Sequence, residues 1–130
     1  MKEQLLKVLV LEDEAYRREL IEPLLEGHKI YWAKDATEAL ELVDLIKFNL
    51  ILLDYDLANR TNGSTVASRL ANSDCLNHST KMVIHSINPS GIEKMMRLLK
   101  NIPIRIPVFS LPEALPSVLS TLIMPMPIAA

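Results

Sequence analysis

The sequence predicts an α/β three-layer sandwich, in which one parallel five-stranded sheet is covered by helices on both faces. Short runs rich in Val, Leu and Ile recur five times, and continuous apolar runs of that length mark strands buried on both sides. Between them lie stretches whose apolar residues recur at helical spacing. The two patterns alternate strictly along the chain, and such alternation builds parallel sheets rather than hairpins.

Leu5 to Leu11 reads as the first strand, bounded by charge. Ala15 to Glu26 is an amphipathic helix that Pro23 should kink or end early. Lys29 to Ala33 is a second strand after a Gly27-His28 turn. Asp35 to Ile46 is a helix, with Asp35 as N-cap and Glu38 completing a capping-box-like pair. Leu50 to Leu53 forms the third strand, Thr65 to Leu70 lies in a helix opening near Gly63-Ser64, and Lys81 to Ile84 forms the fourth strand. Asn88 caps a helix reaching Lys100, with Pro89 at its first position. Ile104 to Phe109 is the fifth strand and Pro116 to Ile123 a last short helix. The expected domain covers 5–124, followed by an apolar, proline-broken tail at 125–130 that should fray or dock.

Composition narrows the function. A chain of 130 residues with 49% apolar and 23% charged residues is one folded domain with one substantial core. Its net charge of −2 argues against a dedicated DNA- or RNA-binding element, which needs a basic excess to meet phosphates. A lone cysteine, Cys75, excludes an internal disulfide framework and fits a reducing compartment. The apolar runs are too short to span a bilayer, and no signal-peptide pattern opens the chain, so a cytoplasmic location is expected.

In an open α/β sheet, ligands bind beyond the carboxyl ends of the strands, where the strand order reverses. The flavodoxin-like order for five units is 2-1-3-4-5. It brings together the residues after the first, third, fourth and fifth strands: Glu12-Asp13-Glu14, Asp54-Tyr55-Asp56, His85-Ser86 and Ser110-Leu111-Pro112. Asp13 and Asp54 would repel each other unless a cation lies between them. Hard oxygen ligands at an open edge suit Mg2+ (or Mn2+), with Glu12 holding a coordinated water. The plainer alternative is that these acids are helix caps and solvated turns. Asn88-Pro89 starts a helix at the pocket edge, where free N–H groups attract an anion. His85 is a candidate general acid or base, or a packed strand-end histidine. Arg17, Arg18 and Arg60 flank the pocket; Arg60, just after Asp54, is the better candidate for phosphate contact, and the other two read as solvated charge. His78 reads as solvated in the loop that carries Cys75. Tyr31 and Trp32 read as sheet packing, and Met95 and Met96 as core or interface filler.

Leu9-Val10-Leu11-Glu12-Asp13-Glu14 resembles the opening of response-regulator receiver domains, and Ile51-Leu52-Leu53-Asp54 resembles their phospho-acceptor strand. Gly63 matches the glycine after the acceptor loop. The resemblance implies that Glu12, Asp13 and Asp54 form a metal pocket, that Asp56 lends the metal its backbone carbonyl, and that Asp54 accepts a phosphoryl group contacted by Ser86. It also implies a sensor kinase or output protein as partner, met through the fourth helix, fifth strand and fifth helix. Where receivers carry a lysine followed by proline, this chain has Leu111-Pro112, so the usual cation is missing.

A second resemblance is more local. Asp54-Tyr55-Asp56-Leu57 and His85-Ser86-Ile87-Asn88-Pro89-Ser90-Gly91 are similar to the motifs of a divergent receiver-like family proposed to process cyclic phosphates on RNA ends or nucleotides. It implies a metal-dependent enzyme taking a cyclic-phosphate nucleotide, with His85 moving a proton. The two resemblances set a phosphorelay receiver against that enzyme, with a degenerate docking scaffold as a third alternative.

Overall fold

Each strand sends alternate side chains to opposite faces, and in this chain both sets are apolar. The structure is a computed structural model that describes residues 5–102 and the two-residue strand at 108–109. Its elements are β1 (Lys7–Leu11), α1 (Ala15–Ile21), β2 (Lys29–Ala33), α2 (Ala36–Leu45), β3 (Leu50–Leu53), α3 (Gly63–Leu70), β4 (Lys81–His85), α4 (Pro89–Leu98) and β5 (Val108–Phe109). All pairings are parallel, and the order is β2-β1-β3-β4-β5. The fold is therefore the flavodoxin-like sandwich that the alternation predicts. Residues 104–107 of the expected fifth strand, Leu111-Pro112, the expected helix at 116–123 and the tail at 125–130 lie outside the described residues.

Two cores follow from the strand period. Leu9, Leu11, Ile51, Leu53, Met82 and Ile84 face α2, α3 and α4, where Val43, Val66, Leu70 and Met95 are buried. Val8, Val10, Leu50, Leu52 and Val83 face the other way, onto Ile21 and Leu25 at the end of α1 and the turn beyond it. Trp32 packs with this second core, while the Tyr31 ring meets Phe48 edge-on at 5.3 Å. Met95 is buried and Met96 is partly exposed.

Several local expectations need correction. The first strand begins at Lys7, because pairing with β2 starts at Lys7–Lys29 and leaves Leu5 exposed. Pro23 does end the first helix early, as expected: it is α-helical to Ile21, and Pro23 then sits at the start of a single 3₁₀ turn, Glu22–Leu25. Asp35 does cap α2, its carboxylate accepting Glu38 N–H at 2.8 Å. The Glu38 carboxylate, however, accepts from Lys34 N–H at 2.9 Å, one residue ahead of the cap, so the reciprocal box does not close. The fourth helix stops at Leu98, where Leu99 turns to ψ 4°.

The loop after α3 is less polar than its composition suggests. Cys75 joins the core. Asn77 is fully buried and donates to Val43 and Ile46 carbonyls at 2.8 Å, satisfying the orphan end of α2. His78 is half-buried rather than solvated, with Nδ1 3.0 Å from the Leu70 carbonyl.

Two glycines permit close approach of the loop after β3 to its neighbours. A Cβ on Gly63 would lie 2.1 Å from the Asp54 carbonyl oxygen, and one on Gly91 would lie 2.3 Å from the Tyr55 ring. Backbone cannot yield as a side chain can. Gly63→Ala is therefore expected to lower stability by about 1–3 kcal/mol, the usual cost of overpacking, and by more than Gly91→Ala, in chemical denaturation of both variants. Equal midpoints for the wild type and Gly63→Ala would contradict this packing.

Candidate functional site

The site grows out of strand register. Val10 pairs with Leu52 and Leu52 with Val83, all three facing the α1 side. Two residues further along each chain, the same row reaches Glu12, Asp54 and His85. Burial there is nearly complete: Glu12 is 1% exposed, Asp54 4% and His85 0%. Asp13 is half-buried at the edge, and carboxylate oxygens of Glu12, Asp13 and Asp54 all lie within 4.8 Å of one another.

Glu12 and Asp54 are held by local bonds. Glu12 Oε2 accepts the Glu14 N–H at 3.2 Å, and Asp54 Oδ1 accepts the Tyr55 N–H at 2.8 Å. The Ser86 hydroxyl lies close enough to the Asp54 carboxylate to favour its ionised form. The same hydroxyl oxygen accepts the Asn88 N–H at 3.2 Å. Asn88 in turn caps α4, accepting Gly91 N–H at 3.0 Å, and donates its amide to Asp56 at 3.2 and 3.4 Å. The Asp56 side chain is exposed and stands outside the carboxylate cluster.

The cation in the pocket is Arg17, from the first turn of α1. Its Nε lies 3.3 Å from Glu12 Oε1, one terminal nitrogen 3.9 Å from Asp54 Oδ2, and the other 3.4 Å from His85 Nδ1. The expectation that Arg17 is solvated is thus corrected: its side chain is 13% exposed. Sequence reasoning missed it because adjacent Arg17-Arg18 looks like a solvated pair. The available signal was its place one helical turn after Asp13, on the helix that covers the Glu12 face. Arg60 instead is exposed on a turn, with φ of 60°, and makes no ion pair with the pocket carboxylates among the described residues.

His85 is committed inside the protein. Nε2 lies 3.0 Å from the Leu11 carbonyl, so it must carry the hydrogen and donate. Nδ1 is then a lone pair facing the Arg17 guanidinium. Burial, reinforced by the Arg17 charge, pushes its pKa down to about 3 and keeps the ring neutral.

The acids have the opposite bias. Burial first, and Glu12's charge second, push Asp54 up to about 7 against the pull of Arg17. Burial likewise raises Glu12. The Arg17–Glu12 contact is an ion pair without a directional hydrogen bond, which leaves buried Glu12 Oε1 with no hydrogen-bond donor. One guanidinium does not compensate this site. Three hard oxygen donors, an unpartnered carboxylate oxygen and an acid driven toward protonation fit a small divalent cation that keeps some of its waters.

Comparison with known proteins agrees with the architecture. A family profile described as the cyclic-phosphate processing receiver domain matches residues 7–101. The chain belongs to that family. It is also similar to the sensor histidine kinase AruS of Pseudomonas aeruginosa, 37% identical over 93 residues. The match takes in 68% of this chain and only 9% of the kinase, so the chain spans a small part of that relative. In structure it resembles the phosphorylated cyanobacterial phytochrome response regulator RcpA, with TM-score 0.78, 18% identity, and coverage of 98% of this chain and 100% of that one. A Mn2+-bound response regulator gives TM-score 0.76 at 17% identity, covering 96% and 99%. The receiver domain of a Pseudomonas aeruginosa sensor histidine kinase, with magnesium in its active-site cleft, gives 0.70 at 14%, covering 92% and 98%. No helix among the described residues of this receiver domain is long and apolar enough to cross a membrane.

The raised Asp54 pKa has a stability consequence. A group whose folded pKa lies above its ordinary 3.8 contributes stability at low pH, which is lost as pH rises toward about 7. Metal-free Asp54→Asn is expected to melt higher than the wild type at pH 8, by a margin that grows as pH rises from about 4 to about 7; the contribution of neutral His85 is common to both proteins and cancels in the comparison. Adding Mg2+ should raise the wild-type melting temperature more than that of the variant. A margin between Asp54→Asn and the wild type that does not grow from about pH 4 to about 7 without metal would contradict burial of an ionisable Asp54.

Proposed function

We propose that this receiver domain works in phosphorelay signalling, with Asp54 as phospho-acceptor and Mg2+ or Mn2+ held by Glu12, Asp13 and Asp54. The observation that carries the reading is the convergence of three carboxylates at the carboxyl ends of β1 and β3. Asp54 Oδ1 is tied to the Tyr55 N–H, which turns Oδ2 toward Arg17. Oδ2 attacks the phosphorus of a donor phosphate. The new O–P bond forms as the bond to the donor's leaving group breaks, and that group departs with the electron pair. When bound, the divalent cation offsets negative charge on the transferred group. In this reading Ser86 donates to a phosphoryl oxygen, a role supported by its position beside Asp54, and Asn88 holds the start of α4 next to it. In this reading the domain spans 5–124, Leu111 supplies no cation, and a sensor kinase or output protein meets the face of α4, β5 and the following helix.

The family's description favours a second reading, in which the pocket opens a cyclic phosphate of a nucleotide or RNA end. It ranks second because both ring nitrogens of His85, the expected proton carrier, are engaged within the fold.

Incubation with Mg2+ and a small acyl phosphate, followed by intact mass, tests the choice. The expected result is a mass gain of one phosphoryl group, abolished in Asp54→Asn and by a chelator. Turnover of a 2′,3′-cyclic nucleotide without any modified protein would instead establish the enzyme.

A further inference from the structure

Among the described residues, the pocket's ion-paired cation comes from α1. Its guanidinium spans three groups of one buried row: Glu12, Asp54 and His85. The contact to Asp54 is the loosest at 3.9 Å, too long for a hydrogen bond. The contact to His85 is the one that costs no charge, because a neutral imidazole lone pair orients the guanidinium without neutralising it. An arginine fixed by a neutral acceptor behind and facing an acceptor carboxylate in front keeps N–H donors for an incoming anion. Its planar fork matches the paired oxygens of a phosphoryl group.

We propose that Arg17 is the phosphoryl-binding residue of this pocket, held by His85 as a positioning residue, and that it supplies from α1 the cation that Leu111 cannot supply. The proposal rests on the phospho-acceptor reading and deepens it. A phosphoryl group on Asp54 Oδ2 would lie beside the guanidinium, whose N–H groups would donate to its terminal oxygens in place of the long ion pair. The same residue competes with the divalent cation for Glu12, since the two positive charges share one carboxylate. Loss of Arg17 therefore has opposite effects on the two ligands, which a merely structural salt bridge would not produce.

The test measures two affinities on the whole chain: Mg2+ alone, and beryllofluoride, a phosphoryl mimic, at saturating Mg2+, both followed by Trp32 fluorescence. Arg17→Gln is expected to bind Mg2+ as tightly as the wild type or more tightly, and to bind beryllofluoride at least about tenfold more weakly, the loss of one charge-assisted hydrogen bond. Arg17→Lys keeps the charge but not the fork. It should fold even if Arg17→Gln does not, and should lose several-fold in beryllofluoride affinity at unchanged Mg2+ affinity. Wild-type beryllofluoride affinity retained in Arg17→Lys, or in a folded Arg17→Gln, would overturn the proposal. Parallel loss of both ligands in Arg17→Gln would reduce Arg17 to a structural ion pair. Failure of the wild type itself to bind the mimic would reject the phospho-acceptor reading instead.

Discussion

Two carboxylates buried side by side at the ends of adjacent strands are the constraint on which the site depends. Water cannot screen Glu12 and Asp54 at their depth: burial raises both, and the charge of Glu12 adds to the cost of ionising Asp54. Positive charge must come from somewhere. A proton on Asp54, the guanidinium of Arg17 and a divalent cation at the open Asp13 edge are the three sources, and they compete. This competition explains why α1 lays an arginine across the row and why the histidine behind it must be neutral. A protonated His85 would add a positive charge in a place with no room for water.

The pocket is also wired to α4. The Ser86 hydroxyl, beside the Asp54 carboxylate, accepts the Asn88 N–H, and the Asn88 side chain caps that helix. Asn88 reaches back to Asp56, and the Tyr55 ring fills the space that Gly91 leaves open. The motif from His85 to Gly91 thus divides its labour. His85 faces inward to α1, Ser86 lies beside Asp54, and Asn88 with Gly91 fastens the loop after β3 to the start of α4. None of the last three needs to touch a substrate to be required in sequence.

Most of the fold was legible because its strands are apolar throughout and α2 and α4 open on the capping residues Asp35 and Asn88. Lys29–Ala33 and Leu50–Leu53 form the expected strands with the expected limits, since charge or turn residues flank each run. Boundaries failed where tertiary contacts decide them. Leu5 belongs to an apolar run, yet the β2 partner begins only at Lys29. Asn77 looks like a polar loop residue, yet it closes the end of α2 from within the core. At the site, the acidic strand ends were legible from the strand order alone. Arg17 was not, because the charge pattern of a helix shows which face is polar but not which strand-end acids that face will cover. Counting the strand period through Val10, Leu52 and Val83 to Glu12, Asp54 and His85 would have pointed to α1.

The most direct measurement of the central claim is an anomalous difference map from crystals of the protein grown with Mn2+. The expected peak is bound by Asp13 and Asp54, with Glu12 behind it and Arg17 drawn off Glu12 Oε1. A map with no peak at that edge, or with its peak only at the surface acids Glu19, Glu22 and Glu26 that line a shallow cleft beyond α1, would contradict it.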